Sequence, residues 1–109
     1  MIIARPVISP IDQKYFRINY LWLLATEIIN VVSISIVAPE SDPDGRFTLS
    51  GTIDTDGKAV ILKTNPVVGA FGPPEEGTEY RVDIEVGTSE GQVNRDSLVF
   101  RIDSGVYPI

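Results

Sequence analysis

The chain has 109 residues, of which 43% are hydrophobic and 22% charged, a composition typical of one ordinary globular domain. It contains no cysteine and no histidine, which excludes disulfides, the usual zinc sites and catalysis by either residue. The net charge of −6 argues against binding to a nucleic-acid backbone, because that affinity comes from lysine and arginine. The chain shows no secretory leader, and its longest apolar run, Leu21–Ala25, is too short to span a membrane. A soluble protein made in the cytoplasm is therefore expected.

The segment 1–14 is apolar but is broken by Pro6 and Pro10, each of which removes a backbone hydrogen-bond donor. It fits either an edge strand packed on the domain's own core or an extended arm that docks on a neighbouring subunit. The chain ends in a second apolar segment, 104–109. The residues assigned to a partner interface are Ile2, Ile3, Val7, Ile8, Val106, Tyr107 and Ile109.

Tyr15–Tyr20 alternates between apolar and polar residues and is predicted to be a strand with Phe16, Ile18 and Tyr20 on one face. Leu21–Glu27 contains good helix formers and is expected to form at most one helical turn. Ile28–Val37 is almost continuously β-branched, which favours a strand over a longer helix, so we predict a central strand. Its inward side chains are expected to be Ile28, Val32, Ile34 and Ile36.

The middle of the chain predicts a hairpin. Ala38–Gly45 is a cluster of turn residues, and Arg46–Thr55 follows as a strand. Asp54–Gly57 is expected to close the hairpin, because aspartate tolerates turn geometry and glycine supplies a positive φ. Lys58–Lys63 returns as the next strand. Asn65–Gly77 is rich in proline and glycine and is predicted to be the longest loop.

Thr78–Thr88 has the clearest strand pattern in the chain, with Tyr80, Val82, Ile84 and Val86 facing inward. Thr88–Gly91 is expected to form a turn, after which Leu98, Phe100 and Ile102 are buried in the last strand. Short strands separated by regular turns predict a single all-β sandwich of immunoglobulin or fibronectin type, with six or seven antiparallel strands over 15–103.

Five residues are predicted to be structural: Trp22, Ile34, Thr78, Tyr80 and Phe100. Tyr80 follows Gly77-Thr78-Glu79 near the start of the penultimate strand. Sandwiches of this type place a tyrosine corner there, whose hydroxyl group bonds to upstream backbone. A plain core tyrosine is the alternative. Trp22, inside an apolar run, is expected in the core or at an interface.

Residues that could carry chemistry were sought without success. The two Asp-x-Asp-Gly runs, Asp42–Gly45 and Asp54–Gly57, lack the further ligands of a calcium loop, so we interpret them as turns. Glu75–Glu76 lies on a loop, and Asp83 and Glu85 lie on the solvent face of a strand, so none indicates an acid–base pair. We predict no enzymatic activity, no catalytic or metal residue and no cofactor.

Exposed aromatic residues could instead form a platform for stacking sugar rings. The candidates are Tyr15, Tyr20, Trp22 and Tyr107.

Several short motifs occur in a fixed order across residues 15–103. They are Tyr15–Tyr20 (YFRINY), Trp22-Leu23, Glu27-Ile28-Ile29, Gly77–Val82 (GTEYRV), Thr88–Gly91 (TSEG) and Asn94–Ser97 (NRDS). With these motifs the chain resembles the small bacteriophage structural proteins called fiber–tail adaptors, although the usual I-D-W is Ile18-Asn19-Tyr20 here. The resemblance implies a non-enzymatic virion component of the tail or neck region of a tailed phage.

The expected partners are other virion proteins and copies of the chain itself, with no nucleic acid, membrane or small-molecule substrate. Two alternatives remain open: a capsid decoration protein, and a carbohydrate-binding module that contacts host glycans. If the apolar ends are interface arms, deleting Met1–Ser9 or Val106–Ile109 should leave the sandwich folded and prevent its incorporation into particles.

Overall fold

A computed structural model describes residues 2–8, 14–40, 46–66, 74–75 and 77–103, which contain eight strands and no helix. The strands are β1 (Ile2–Ala4), β2 (Val7–Ile8), β3 (Tyr15–Asn19), β4 (Ile29–Val37), β5 (Phe47–Ile53), β6 (Ala59–Pro66), β7 (Glu79–Thr88) and β8 (Val93–Ile102). One sheet has the order β1–β8–β7–β4, with β2 also paired to β8, and the other has the order β3–β6–β5. The prediction of an all-β fold is confirmed.

The two sheets face each other across a core of aromatic and aliphatic side chains. Phe47 of β5 stacks on Tyr80 of β7 with ring centroids 4.9 Å apart, and Phe16 of β3 meets Phe100 of β8 edge-on at 5.3 Å. These contacts join one sheet to the other. In β7 the predicted inward residues are all buried, because side chains alternate between the two faces of a strand.

The hairpin between β5 and β6 forms as predicted. Gly57 has a φ of +70°, and its N–H donates to the carbonyl of Asp54 at 2.8 Å. The turn between β7 and β8 is also confirmed: the Gly91 N–H donates to the Thr88 carbonyl at 3.0 Å, and Gly91 has a φ of +79°. Both glycines supply a backbone conformation that other residues adopt only with strain.

The prediction that Ile28–Val37 is a central strand is wrong, although it is a strand and not a helix. Among the described residues β4 pairs only with β7, so it lies at the edge of its sheet. Val32, Ile34 and Ile36 point toward the core, whereas Ile28 lies before the strand and is exposed. Periodicity indicates a strand's faces, but its place in the sheet depends on pairing with residues distant in sequence.

Residues 2–8 form an edge of the chain's own sheet, which is the first of the two interpretations of this segment. β1 and β2 pair in parallel with β8, whereas the strands within 15–103, the range predicted to be antiparallel, pair antiparallel. A parallel pair needs a long connection, and here nearly the whole domain provides it. Ile8 is 2% exposed and belongs to the core.

Four predicted segments lie partly or wholly outside the described residues: 1–14, of which 1 and 9–13 are outside; Ala38–Gly45, with the run Asp42–Gly45; Asn65–Gly77; and the whole tail 104–109 with Val106, Tyr107 and Ile109.

The edge strands β4 and β5 are packed together at Gly51. A methyl group at this glycine would lie 2.1 Å from Cδ1 of Ile34 and 3.3 Å from Cδ2 of Leu62. Ile34 therefore occupies the space that a side chain at position 51 would need. Because Gly51 has no side chain, Ile34 can fill this side of the core. Gly51 has no positive φ, so the close approach of Ile34, and not backbone conformation, requires a glycine here.

We predict that Gly51→Ala lowers the free energy of unfolding by roughly 1–3 kcal/mol, because Ile34 must leave its rotamer or push β4 outward. Gly87→Ala is the matched control. There the new methyl group would meet only Cβ of Val31 at an ordinary 3.7 Å, and stability should not fall. Urea unfolding of the three proteins measures the difference. Equal stability of the two variants would show that Ile34 does not occupy the space beside Gly51 that the new methyl group needs.

Candidate interaction surface

The segment 20–28 connects β3 in one sheet to β4 in the other and carries a group of exposed apolar side chains. Leu21 is 92% exposed and Leu24 60%, and Trp22 and Ile28 are also exposed. The segment makes tight turns, in which the Glu27 N–H donates to the Leu24 carbonyl at 3.0 Å. We call Leu21, Trp22, Leu24 and Ile28 the connector surface.

Glu27 holds the connector in place from the inside. Its side chain is fully buried. The Thr88 hydroxyl donates to Oε2 at 2.6 Å, the Gln92 amide donates to the same oxygen at 2.8 Å, and the Leu24 N–H donates to Oε1 at 3.1 Å. The carboxylate therefore links the connector to the turn between β7 and β8.

Lys58 fixes the same segment from the other sheet. Its ammonium group donates to the carbonyl oxygens of Leu24 at 2.9 Å and Ala25 at 3.1 Å, and also to that of Glu27. Since Lys58 lies in the turn between β5 and β6, the connector is bound to hairpins of both sheets. A charged donor on several carbonyls makes stronger hydrogen bonds than a neutral donor would.

The pKa of Glu27 is lowered, and the hydrogen bond from Thr88 is the largest cause. Burial acts in the opposite direction, while the Leu24 N–H, the Gln92 amide and the charge of Lys58 all favour the carboxylate. The buried group is therefore ionised at neutral pH. A general acid needs a raised pKa, so Glu27 has the electrostatics of a structural carboxylate.

A groove joins the connector surface to the N-terminal edge. It has a volume of about 350 Å³ and is lined by Ile3, Ile18, Asn19, Tyr20, Trp22, Asn94 and Asp96. Ile3 comes from β1 and Trp22 from the connector. The groove thus brings one exposed apolar side chain of the N-terminal edge near Trp22 of the connector surface, with asparagine and aspartate side chains between.

Tyr15, Tyr20 and Trp22, the aromatic candidates among the described residues, do not form one platform. Tyr15 lies at the opposite end of β3 from Trp22, and the Lys63 ammonium group sits 5.8 Å from the centre of its ring. Tyr20 is buried, its hydroxyl has no hydrogen-bond partner among the described residues, and burial together with Asp96 raises its pKa to about 12. This arrangement does not favour the sugar-stacking alternative.

The residues predicted to be structural have different positions. Tyr80 and Phe100 are fully buried at the centre of the core, and Ile34 is half-buried over Gly51. Thr78 precedes β7, and its carbonyl accepts the Ile102 N–H at 2.9 Å. Trp22 lies at the surface, in edge-on contact with Tyr20 at 6.0 Å.

The remaining carboxylates considered for chemistry are occupied by neighbouring donors. Asp83 accepts the Ser97 hydroxyl at 2.6 Å and pairs with Arg81, and its pKa is lowered mainly by Ser97. Asp54 pairs with Arg17, whose hydrogen bond is the main cause of its lowered pKa. The described residues contain no cluster of three or more potential metal ligands.

Two features of this surface were not predicted from the sequence. The first is the burial of the Glu27 carboxylate, for which a lone acid between two apolar stretches is the available signal. The second is the exposure of Leu21, Leu24 and Ile28, because apolar residues beside a strand are ordinarily expected in the core.

No helix within the described ranges has the length and hydropathy needed to cross a lipid bilayer. No protein-family model matches the chain, and no curated protein is detectably similar to it in sequence.

We predict that Glu27→Gln lowers the midpoint of thermal unfolding at pH 7. Both carboxylate oxygens of Glu27 accept hydrogen bonds, and in glutamine one of them is replaced by an amide nitrogen, which cannot accept. The lowered pKa sets the pH dependence. The stabilisation by ionised Glu27 is complete above its ordinary pKa of 4.5 and is lost as pH falls through the lower folded value. The difference between the two proteins should therefore shrink in acid.

Glu90→Gln is the control, because Glu90 is an exposed residue of the neighbouring turn and should leave the midpoint unchanged. Calorimetry from pH 7 downward measures all three proteins. A difference between wild type and Glu27→Gln that stays constant with pH would contradict the role assigned to the ionised carboxylate.

Proposed function

We propose that the chain is a non-enzymatic structural protein of a tailed bacteriophage, an adaptor that joins tail or neck proteins to fibers. The observation that carries this proposal is the group of exposed apolar side chains on the connector surface, together with the groove in which Trp22 and Ile3 of the N-terminal edge take part. Contiguous exposed apolar patches mark interaction sites on soluble domains. The motifs across residues 15–103 supply the phage context, through their resemblance to fiber–tail adaptors.

The strand order supports an immunoglobulin-type sandwich. If β1 and β2 count as one interrupted strand, the described residues contain seven strands in chain order. The second, fifth and fourth of these (β3, β6 and β5) form one sheet. The third, sixth and seventh (β4, β7 and β8) form the other sheet, and the first strand (β1 with β2) pairs with the seventh. Immunoglobulin domains divide their strands between two sheets in the same way, except that their first strand belongs to the sheet of the second, fifth and fourth strands. Tyr80, buried at the start of the penultimate strand, is at the position of a tyrosine corner.

The shape and chemistry of the surface fit a protein partner. The groove combines the apolar side chains of Ile3, Ile18 and Trp22 with polar groups on Asn19, Asn94 and Asp96, and protein–protein interfaces likewise combine apolar contacts with hydrogen bonds. Trp22 is of a residue type enriched among the strongest contributors to such interfaces.

The connector is also well suited to binding because it is already ordered. Glu27 and Lys58 hold its backbone to both sheets, so little conformational entropy remains to be lost when a partner covers Leu21 and Leu24. Exposed leucines on a freely moving loop would bind more weakly for the same buried area. The hydrogen bonds within the domain therefore favour association outside it.

The expectation that deleting Met1–Ser9 leaves the sandwich folded is revised. Ile8 is a core residue, and β1 and β2 are hydrogen-bonded to β8, so this deletion would remove part of the fold as well as part of the surface. A point substitution on the connector tests the surface without this loss.

We predict that Leu21→Asp leaves the fold intact and reduces the number of copies per purified phage particle at least about ten-fold, which corresponds to roughly 1.4 kcal/mol of lost binding. The physical reason is that a charge at this 92% exposed position must be desolvated on contact with an apolar partner. Ser50→Asp on β5 is the matched control, with the same added charge at an exposed position far from the connector.

Quantitative mass spectrometry of gradient-purified particles measures the copies, and circular dichroism verifies folding. Gold labelling of the particles should place wild-type chain at the tail or neck, whereas labelling over the capsid would indicate a decoration protein. Absence of the chain from wild-type particles would refute a virion function, and equal incorporation of the two variants would refute the role of this surface.

A further inference from the structure

The outer edge of β4 is an open hydrogen-bonding edge in the described part of the chain. β4 pairs with β7 on one side only, and at its start the Ile29 N–H donates to the Gly57 carbonyl at 2.8 Å. From Val31 to Val37 none of the described residues is a further backbone partner on the outer side. Every second residue of this stretch directs its backbone donor and acceptor away from the sheet, over about 20 Å of strand.

Apart from a register irregularity between Ile29 and Val31 at its start, this stretch lacks the features by which proteins usually protect a sheet edge. VVSISIV contains no charged residue, no proline and no glycine, and most of its residues are β-branched. Edge strands are normally blunted by lysine, proline, bulges or short length. An uncharged, β-branched edge of this length is suited to accept another strand.

The other edges of the two sheets differ from β4. The β1/β2 edge is short and is interrupted at Arg5-Pro6. β3 carries Arg17, which pairs with Asp54. β5 is uncharged and as long as the open stretch of β4, but it contains Gly51, which offers no side chain for cross-strand packing. Among these edges β4 therefore has the strongest β-propensity over its open length.

We infer that β4 pairs antiparallel with β4 of a second copy of this chain, about a two-fold axis, and so extends the four-stranded path β1–β8–β7–β4 into one sheet across two subunits. A second copy fits because the edge is complementary to itself. In a two-fold pair Val, Ser and Ile side chains lie opposite one another, and no like charges meet. The charged side chains of the outer face, Arg81, Asp83 and Glu85, lie one strand farther away on β7.

This inference is independent of the proposed function, since pairing through β4 needs neither a phage partner nor the connector surface. The side chains of Val32, Ile34 and Ile36 already point to the domain's own core, so pairing leaves the core unchanged. On the outer face, Val31 and Val37 are exposed and would gain cross-strand contacts.

The test is sedimentation velocity of the purified chain over a wide concentration range, in wild type and two variants. We expect a reversible monomer–dimer equilibrium in wild type. The double variant Ser33→Lys/Ser35→Lys should weaken the dimer at least about ten-fold, because lysines of the two copies come together across the axis. Within one subunit the new lysines lie opposite Glu85 and Asp83, which favours a correctly folded monomer.

Thr52→Lys is the control. It adds one lysine at an exposed position of β5, which is an edge strand of the other sheet. It should dimerise as wild type does. Loss of the dimer in this variant, a wild-type chain that stays monomeric at millimolar concentration, or an unchanged dimer in the double variant would each overturn the inference.

A second measurement does not depend on the lysine variants folding. The chain has no cysteine, so single cysteines can be placed at Val31, Ser33, Ser35 and Val37 and oxidised. Directly opposed residues of an antiparallel pair are close enough for a disulfide. In a two-fold pair, a residue faces its own copy only if it lies at the axis. We therefore expect rapid disulfide cross-linking either in the single variant nearest the axis or in one mixture of two variants whose cysteines face each other. We expect none with Thr52→Cys. Cross-linking at Thr52 alone would overturn the inference.

Discussion

The ionised carboxylate of Glu27 is the interaction on which one whole end of this domain depends. It is buried, it accepts hydrogen bonds from Thr88 and Gln92 in the turn between β7 and β8, and its own backbone carbonyl is bound by Lys58 from the other hairpin. A buried charge persists only when its partners replace the water that it lost. The connector between the sheets can therefore take only the conformation in which those partners meet.

This constraint explains why apolar residues of the connector face solvent. With Glu27 turned inward, the turns of segment 20–28 leave no inward position for Leu21 or Leu24. The domain thus buries a carboxylate and exposes leucines in the same few residues. The reversal is stable within one chain because the carboxylate is fully hydrogen-bonded, and it becomes favourable overall when a partner covers the leucines.

Much of the fold could be predicted from the sequence, and the reasons are local. The alternation in Thr78–Thr88, the β-branched run before Val37 and the turn residues at Asp54–Gly57 each act over a few residues. The strands and their inward faces followed from these patterns. The partners of β4 and the parallel pairing of β1 and β2 did not, because pairing joins residues far apart along the chain. The sequence indicated Ile3 and Trp22 as candidates for an interface, and did not indicate Leu21, Leu24 and Ile28.

The sequence by itself determined the all-β character of this chain, the positions of most strands and the absence of cysteine and histidine chemistry, since these depend on residue type and short-range spacing. Only the tertiary structure decided that Glu27 is buried, that Leu21 is exposed, and that β4 lies at an edge. The physical reason is that burial of a side chain depends on which distant groups surround it. Thr88 lies sixty-one residues from Glu27 along the chain, and their hydrogen bond exists only because β4 pairs with β7, which places Ile29 opposite Thr88.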